Sequence, residues 1–363
     1  MSRSSNRNGP TKGLVFPLRT TVKGRVRWQV LDERGVPEVP RTPSGFAIGP
    51  AEGITQDNLI TNFGMDQIAI DRLLENIINT DPGEQSSLRH GLAVGTGSTV
   101  PAFTDTVLDA EVQRASSTGG FASTEVQEYD SVAEEFRGIY TTPRVVTMSA
   151  DRNLTEFGFY GKFSTASMSI RELLRDGGGT PVPVSLLTGK MLRLDHEITQ
   201  FVPAPTAGTA GTLTVETYDA GNVLVSSVDF DYLMGPFANT LTGNSTAIRD
   251  MLEGTYSPSS TTLARGLSPM VAAKAYAVTH GSYTFPSGSL TIDTYVPGSY
   301  ERIARRLVPV ASQNGPIYGM VAVNNQSLQY QGGWMASFTS PASFTKLDTQ
   351  ELRIAMKLTW ARA

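Results

Sequence analysis

The sequence contains no cysteine among its 363 residues. This absence excludes disulfide bonds, thiolate metal sites and cysteine nucleophiles. Histidine is also scarce, since His90, His196 and His280 are the only three, and none belongs to an H-E-x-x-H motif or lies near another metal ligand at helical spacing. We therefore expect no metal site and no cofactor, and the stability of the fold must come from an apolar core or from contacts between subunits.

Charge and long apolar runs are limited as well. Charged residues make up only 18% of the chain, and the formal net charge of −4 does not favour nucleic acid as a partner. The sequence has no secretory signal pattern at its start and no run of about 18 apolar residues. We therefore expect no membrane insertion.

Signals for catalysis are missing too. There is no G-x-S-x-G motif, and the Gly95–Ser98 segment (GTGS) lacks the lysine of a phosphate-binding loop, so we interpret it as a strand-ending turn in which glycine permits positive φ. His196 has the inward parity of its predicted strand, which favours a core or interface imidazole. Any two carboxylates could still meet in the fold as a glycosidase pair, and sequence spacing leaves this alternative open. We predict no catalytic residue and no enzymatic activity.

Composition and periodicity favour a mainly β fold. The 35 glycines and 21 prolines indicate many turns, and alternating segments such as Val26–Val30 and Glu351–Trp360 are typical of half-buried strands. We predict two successive β-sandwich-like domains. The small-residue segment Pro203–Gly211 separates them. The predicted organisation is a basic N-terminal arm over 1–23, a β-rich domain over 24–203 and a second β-rich domain over 204–363.

One strongly helical segment interrupts this pattern. Apolar residues from Ile70 to Ile78 recur at helical spacing, which predicts an amphipathic helix over 63–79 with Asn62 as its N-cap. A buried strand at Gly91–Val94 follows. We then predict a short second helix, capped by Thr104 or Asp105, that carries three apolar residues, namely Val107, Leu108 and Val112.

Two segments resemble each other. KMLRLDHEITQ (Lys190–Gln200) and ELRIAMKLTW (Glu351–Trp360) share a Leu-Arg-aliphatic start and the same alternation, and an aromatic-Gly strand lies upstream of each. Either the chain contains two related β-sandwiches, or two amphipathic strands are alike by chance.

Basic residues cluster at the N-terminus. Residues 1–31 hold seven basic side chains and no acidic one. Residues 1–13 are either a solvated terminus or a basic arm that lies on an acidic neighbour or near nucleic acid, and the residues after them are expected to be structured. A second cluster, in YERIARRL, favours a solvated or interface face over a phosphate site. The predicted interface residues are Arg3, Arg7, Lys12, Arg19, Arg302, Arg305 and Arg306.

Several motifs in order resemble one family. NLITNFGMDQIA, GLAVGTGSTVPAFTDTVLDAEV, NLTEFGFYG and IRELLRDGGGT, followed by MLRLDHEI, are similar to segments of virion structural proteins of tailed bacteriophages, described as tail or tail-fibre proteins. The resemblance covers about residues 20–203. Its motifs consist of turn and packing residues, so it supplies no catalytic residue.

The resemblance implies a structural component of the virion tail. It implies a homo-oligomer in contact with other virion proteins of the tail or neck, located in the virion and, during assembly, in the host cytoplasm. A host-surface receptor is a further expected partner. Residues 204–363 match less well and lack the heptads of a fibre shaft, which favours a compact piece at the tail or neck. The alternative is a receptor-binding or glycan-degrading tail-fibre or tailspike protein.

Overall fold

The computed structural model describes residues 14–70, 91–130, 132–133, 135–160, 168–203, 209–236, 267–269, 290–293, 295–312, 314–323 and 333–363. The protein is mainly β, as predicted, with 22 strands and one helix in these ranges. The elements up to residue 203 are β1 (Leu14–Leu31), β2 (Pro37–Glu38), β3 (Ile54–Ile60), α1 (Asn62–Ile70), β4 (Gly91–Gly95), β5 (Glu111–Ala115), β6 (Thr124–Asp130), β7 (Glu135–Thr147), β8 (Arg152–Leu154), β9 (Glu156–Tyr160), β10 (Met168–Leu173), β11 (Val184–Leu186) and β12 (Met191–Pro203).

The remaining strands form a second series after residue 208. They are β13 (Thr209–Tyr218), β14 (Leu224–Pro236), β15 (Leu267–Pro269), β16 (Leu290–Ile292), β17 (Glu301–Val308), β18 (Gly315–Ile317), β19 (Gly319–Val323), β20 (Gly333–Ser340), β21 (Phe344–Lys346) and β22 (Glu351–Arg362).

The two series share one pairing pattern. In the first, the strands run in the order β6-β7-β12-β1-β3-β10-β9-β4, and β8 pairs with β11. In the second, the order is β16-β17-β22-β13-β14-β20-β19-β15, and β18 pairs with β21. All sixteen pairings are antiparallel, and every strand of the first series except β2 and β5 has a counterpart at the same place in the second. We call these two sets of strands the first and second repeats.

The registers place the two similar sequence segments at equivalent positions. Leu192 of β12 lies between Val30 and Val146, and Leu352 of β22 lies between Thr217 and Val308. The likeness of Lys190–Gln200 to Glu351–Trp360 therefore coincides with a repeated topology.

The two repeats also share a turn that is closed by the same side-chain hydrogen bond. Asp32 and Asp219 each follow the first strand of their repeat, and each accepts a hydrogen bond at Oδ1 from the backbone N–H of a valine four residues on, at 2.8 Å in both cases. Gly35 and Asn222 occupy the same place in the two turns with φ of +82° and +70°. Glycine and asparagine tolerate this left-handed conformation best, which explains the exchange.

Strand β1 joins the two repeats. Its residues 21–31 pair with β12 in the first repeat, while its residues 14–22 run parallel to residues 354–362 of β22 in the second. Residues 14–23, which the sequence assigned to the basic arm, therefore lie within a strand. Since β1 occupies this edge of β22, β13 pairs with β22 only through Thr217 and Tyr218.

The core of the first repeat contains the residues expected from the alternation in β1. Val26, Trp28 and Val30 are all buried. The indole N–H of Trp28 donates to the amide oxygen of Gln56 at 3.1 Å, so this buried polar group is satisfied. His196 is also buried, as predicted, and its ring stacks on Phe159 with 4.7 Å between centroids.

Helix α1 begins one residue before the predicted helix, but Asn62 is not its N-cap. Thr61 takes this role, since its Oγ1 accepts the backbone N–H of Gly64 at 3.1 Å. Asn62 Oδ1 instead accepts hydrogen bonds from the Tyr300 hydroxyl and the Arg362 guanidinium, at 3.0 and 2.9 Å. Residues 71–79 of the predicted helix lie outside the described residues.

Candidate functional site: a buried ion cluster and the surfaces around it

A buried ion cluster holds the long loop between β4 and β5. Arg171 of β10 and Glu156 of β9 are 1% and 0% exposed. Strand β10 is buried along all six residues, so the guanidinium points into the protein rather than into solvent. Its Nη2 lies 2.9 Å from Glu156 Oε2 and 3.0 Å from Asp109 Oδ2, and its Nη1 lies 2.7 Å from Asp105 Oδ2. One cation thus contacts three carboxylates.

Backbone N–H groups of the loop compensate the excess negative charge. Glu156 Oε1 accepts the N–H groups of Gly97 and Ala110, at 3.1 and 2.9 Å, and its Oε2 accepts the N–H of Asp109 at 3.2 Å. Charge-assisted bonds of this kind are stronger than neutral ones. The glutamate therefore fixes both ends of the loop over 96–110.

The close approach of the Glu156 carboxylate to the loop requires glycine at residue 97. A Cβ at residue 97 would lie 2.4 Å from Glu156 Oε1 and 2.3 Å from the Cβ of Asp109. Strand β4 ends at Gly95, as the turn interpretation predicted, but neither Gly95 nor Gly97 has positive φ. The glycines serve close packing on a carboxylate, not a left-handed turn.

The predicted short second helix does not form. Residues 101–110 contain turns, and β5 begins at Glu111. Asp105 cannot act as the predicted cap of that helix, because its Oδ2 accepts the N–H of Ala102 at 2.8 Å and contacts Arg171. Leu108 is buried while Val107 is exposed, so the apolar residues are divided between core and surface.

The electrostatics of the cluster favour the charged forms of Asp109 and Arg171. Hydrogen bonds from Thr99, together with the positive charge of Arg171, lower the pKa of Asp109. Burial alone would lower the pKa of Arg171, but its hydrogen bonds to Asp105 and Glu156 outweigh burial and raise that pKa. The cluster is therefore a set of mutually neutralising ions.

A second polar group joins the end of the same loop to the sheet. The Tyr160 hydroxyl donates to Glu111 Oε2 at 3.0 Å, and the Arg114 guanidinium lies 3.7 Å from the centre of the Tyr160 ring. Burial, followed by the charge of Glu111, raises the pKa of Tyr160 to about 12.

This shifted pKa predicts a loss of stability at alkaline pH. The folded-state pKa of Tyr160 lies above the unfolded value of about 10, so the native state holds this proton more tightly and its stabilising effect is lost as pH rises from 10 towards 12. We expect Tyr160→Phe to show a shallower fall in melting temperature between pH 9 and 11 than the wild type. Near pH 7 it should lose about 1 kcal/mol with its hydrogen bond. Calorimetry across this range measures both effects, and equal slopes would contradict the assignment.

The predicted interface arginines lie in different settings. Arg19 is in β1 opposite Thr359 of β22, and Arg302 is in β17 opposite Leu358 of the same strand. Arg305 pairs with Asp293, its Nη2 lying 2.7 Å from Oδ2.

Arg306, the last residue of this predicted interface set, is buried. Arg306 is 7% exposed, and burial lowers its pKa. Arg3, Arg7 and Lys12 lie outside the described residues. The structure therefore places Arg305 and Arg306 in contacts within the chain, and the role of the whole set at an interface remains a prediction.

Sequence reasoning missed the Arg171–Glu156 cluster. Its members lie up to 66 residues apart, and no spacing rule connects them. The available signal was a charged residue inside each of two short apolar strands, EFGFY and MSIREL. A charge in such a strand requires a buried partner.

The second repeat contains a surface groove. It has a volume of about 230 Å³. Its lining residues include Val215, Ser226, Val228, Phe230, Phe344 and Thr345.

The described ranges contain neither a metal site nor a membrane-spanning helix. Those residues include no group of three His, Cys, Asp or Glu side chains placed to hold a metal ion. No helix in that part of the chain is long and apolar enough to cross a membrane. Comparison of the chain with protein-family models, with curated proteins and with solved structures finds no match.

Proposed function

We propose that this chain is a structural component of a tailed-bacteriophage virion, a multimeric tail or tail-attachment protein. It holds neighbouring subunits by β-rich interfaces and by its basic arm. The virion is its site of action, reached by assembly in the host cytoplasm, and its partners are further copies and other proteins of the tail or neck.

One observation carries the proposal. The motifs that resemble phage tail proteins lie in separate segments of sequence, yet their charged residues meet at one point: Asp105 and Asp109 of TDTVLDAE, Glu156 of TEFGFYG and Arg171 of IRELLRD. A resemblance by chance need not follow a spatial cluster. The likeness therefore follows a folded unit, which supports a common fold with those proteins.

The glycan-degrading form of the alternative needs two carboxylates facing a groove. The acids of the buried cluster instead face Arg171 and backbone N–H groups, and those of the β6–β7 hairpin face Arg137. We therefore propose no hydrolytic activity. Release of reducing sugar from host surface polysaccharide by the purified chain would favour the alternative.

The proposal predicts incorporation into particles through the arm. Deleting residues 1–13 keeps every described strand, since β1 begins at Leu14. We expect the deleted chain to fold but to enter particles poorly. Incorporation of the full-length chain should fall as salt rises, because contacts between exposed charges are screened beyond about 8 Å at physiological ionic strength, whereas incorporation of the deleted chain should depend less on salt.

The measurement is quantitative immunoblotting of purified particles, with antibody labelling in electron micrographs to locate the chain. A variant with Arg34→Gln, a change in an exposed turn, serves as the control. Equal incorporation of deleted and full-length chains would overturn the role of the arm. Absence of the label from the tail and neck would overturn the proposed function.

A further inference from the structure

The two repeats differ at one place where their topology predicts likeness. By register, Trp28 of β1 corresponds to Val215 of β13, and Ile54 of β3 corresponds to Val228 of β14. Ile54 is 4% exposed and Val228 is 38% exposed. The position that the large indole of Trp28 fills in the first repeat is a groove in the second.

In the first repeat, the chain covers this place with its own loop. Residues 39–53 leave the sheet between β2 and β3, Pro40 is buried, and the carbonyl of Arg41 accepts the backbone N–H of Ser185 on β11 at 2.9 Å. The loop thus makes a backbone hydrogen bond to the outer edge of β11.

The second repeat has no such loop. Strand β14 follows its turn at once and continues without a break from Leu224 to Pro236. Thr345, the middle residue of β21, corresponds to Ser185 and lines the groove in an exposed position. The second repeat therefore keeps the receiving edge and has a groove of mixed apolar and polar lining beside it, while lacking the loop of the first repeat.

We propose that this groove receives the N-terminal segment of a second copy of the chain, residues 1–13, as an added extended strand. The inference rests on the proposed multimeric function and deepens it by naming the site on the neighbour. Peptides commonly join a sheet edge in this way, with main-chain bonds giving affinity and a pocket taking a side chain.

The sequence of the segment fits the site. The loop of the first repeat presents Pro40-Arg41-Thr42, a proline followed by one basic and one hydroxyl residue, and residues 1–13 contain Pro10-Thr11-Lys12. Pro10 would occupy the apolar hollow beside Val228 and Phe344, with the carbonyl of Thr11 facing the N–H of Thr345.

The position of Leu14 directs the segment to a neighbour. Leu14 lies opposite Ile354 of β22, and on the same edge of β22 residues 351–352 already pair with β13. Continued pairing along this edge of β22, towards the groove of the same chain, is therefore blocked by β13. Thirteen extended residues span about 45 Å, enough to reach an adjacent subunit.

Such a contact joins two different surfaces, the segment of one copy and the groove of another, and it is head-to-tail where the exchange is not reciprocal. Contacts of this kind close into a ring where the rotation between subunits permits. This assembly suits a collar or platform of a tail.

The test is self-association of the full-length chain, measured by sedimentation velocity over a range of concentrations. We expect assemblies above the 39.0 kDa of one chain. Excess synthetic peptide of residues 1–13 should dissociate them, while a scrambled peptide should not. Val228→Lys should weaken association at least tenfold by blocking the hollow, and Thr345→Pro should do the same by removing the N–H. Val132→Lys, at a position 94% exposed in the first repeat, is the matched control.

Each other outcome overturns the inference. Association unchanged by Val228→Lys and by the peptide would place the contact elsewhere. A wild-type chain that is monomeric, with a groove that does not bind the peptide, would show that residues 1–13 of a second copy do not bind this groove. If the chain is still labelled on the tail of particles, only the groove assignment fails, and the proposed function stands.

Discussion

Replacing Arg171 by methionine should destabilise the protein by about 3–5 kcal/mol at pH 7, because the substitution leaves a buried carboxylate without its counter-charge. Glu156 is fully buried and Asp105 and Asp109 lie beside it, so three negative charges would then repel each other. Chemical denaturation monitored by tryptophan fluorescence measures the loss.

The pH dependence of this variant separates a charge effect from simple loss of packing. Without Arg171, the cluster holds three carboxylates and no counter-charge, so proton uptake by the native state becomes more favourable as pH falls. The deficit relative to wild type should therefore shrink between pH 7 and pH 5. A deficit that is constant with pH would indicate lost packing instead.

Two further variants complete this test. Arg34→Met removes an arginine whose side chain is 84% exposed and should change stability by less than about 0.5 kcal/mol. The double variant Arg171→Met with Glu156→Gln removes both buried charges, keeps an amide oxygen as acceptor for the loop N–H groups, and should recover part of the loss. No recovery would contradict a dominant role for the uncompensated charge.

The sequence was sufficient for the class of fold, because its signals are local. Alternation in Val26, Trp28 and Val30 predicts a strand with one buried face, and the structure confirms burial of all three. The structure also confirms the interior position that the same reasoning predicts for His196. Period and parity need only neighbouring residues, so a single sequence reveals them.

The ion cluster could not be predicted because its geometry is non-local. Glu156 and Arg171 come together only after β9 pairs with β10, and Asp105 then adopts a role that excludes the predicted helix cap. Local propensity favoured a helix after Asp105. The contacts of Asp105 and Asp109 with Arg171, and the hydrogen bond from the Ala110 N–H to Glu156, outweighed this propensity. Tertiary contacts commonly override propensity in this way.

Deleting residues 1–22 should have a far larger effect than deleting residues 1–13. The longer deletion removes the nine residues of β1 that pair with β22, including the buried Thr20 and Val22, and exposes an edge of the strand on which the second repeat is built. The shorter deletion leaves every one of these pairs in place.

We therefore expect calorimetry of the longer deletion to show a separate transition at lower temperature, from the second repeat, or aggregation through the exposed edge of β22. The shorter deletion should have the same melting temperature as the wild-type chain. The contrast follows from the parallel pairing of β1 with β22, which makes the start of the chain part of the sheet near its end. If both deletions melt at the wild-type temperature, the pairing adds little stability, and the two repeats are independent of this strand. If both are equally destabilised, residues 1–13 contribute to the fold itself, and their proposed role as a segment donated to a neighbour is wrong.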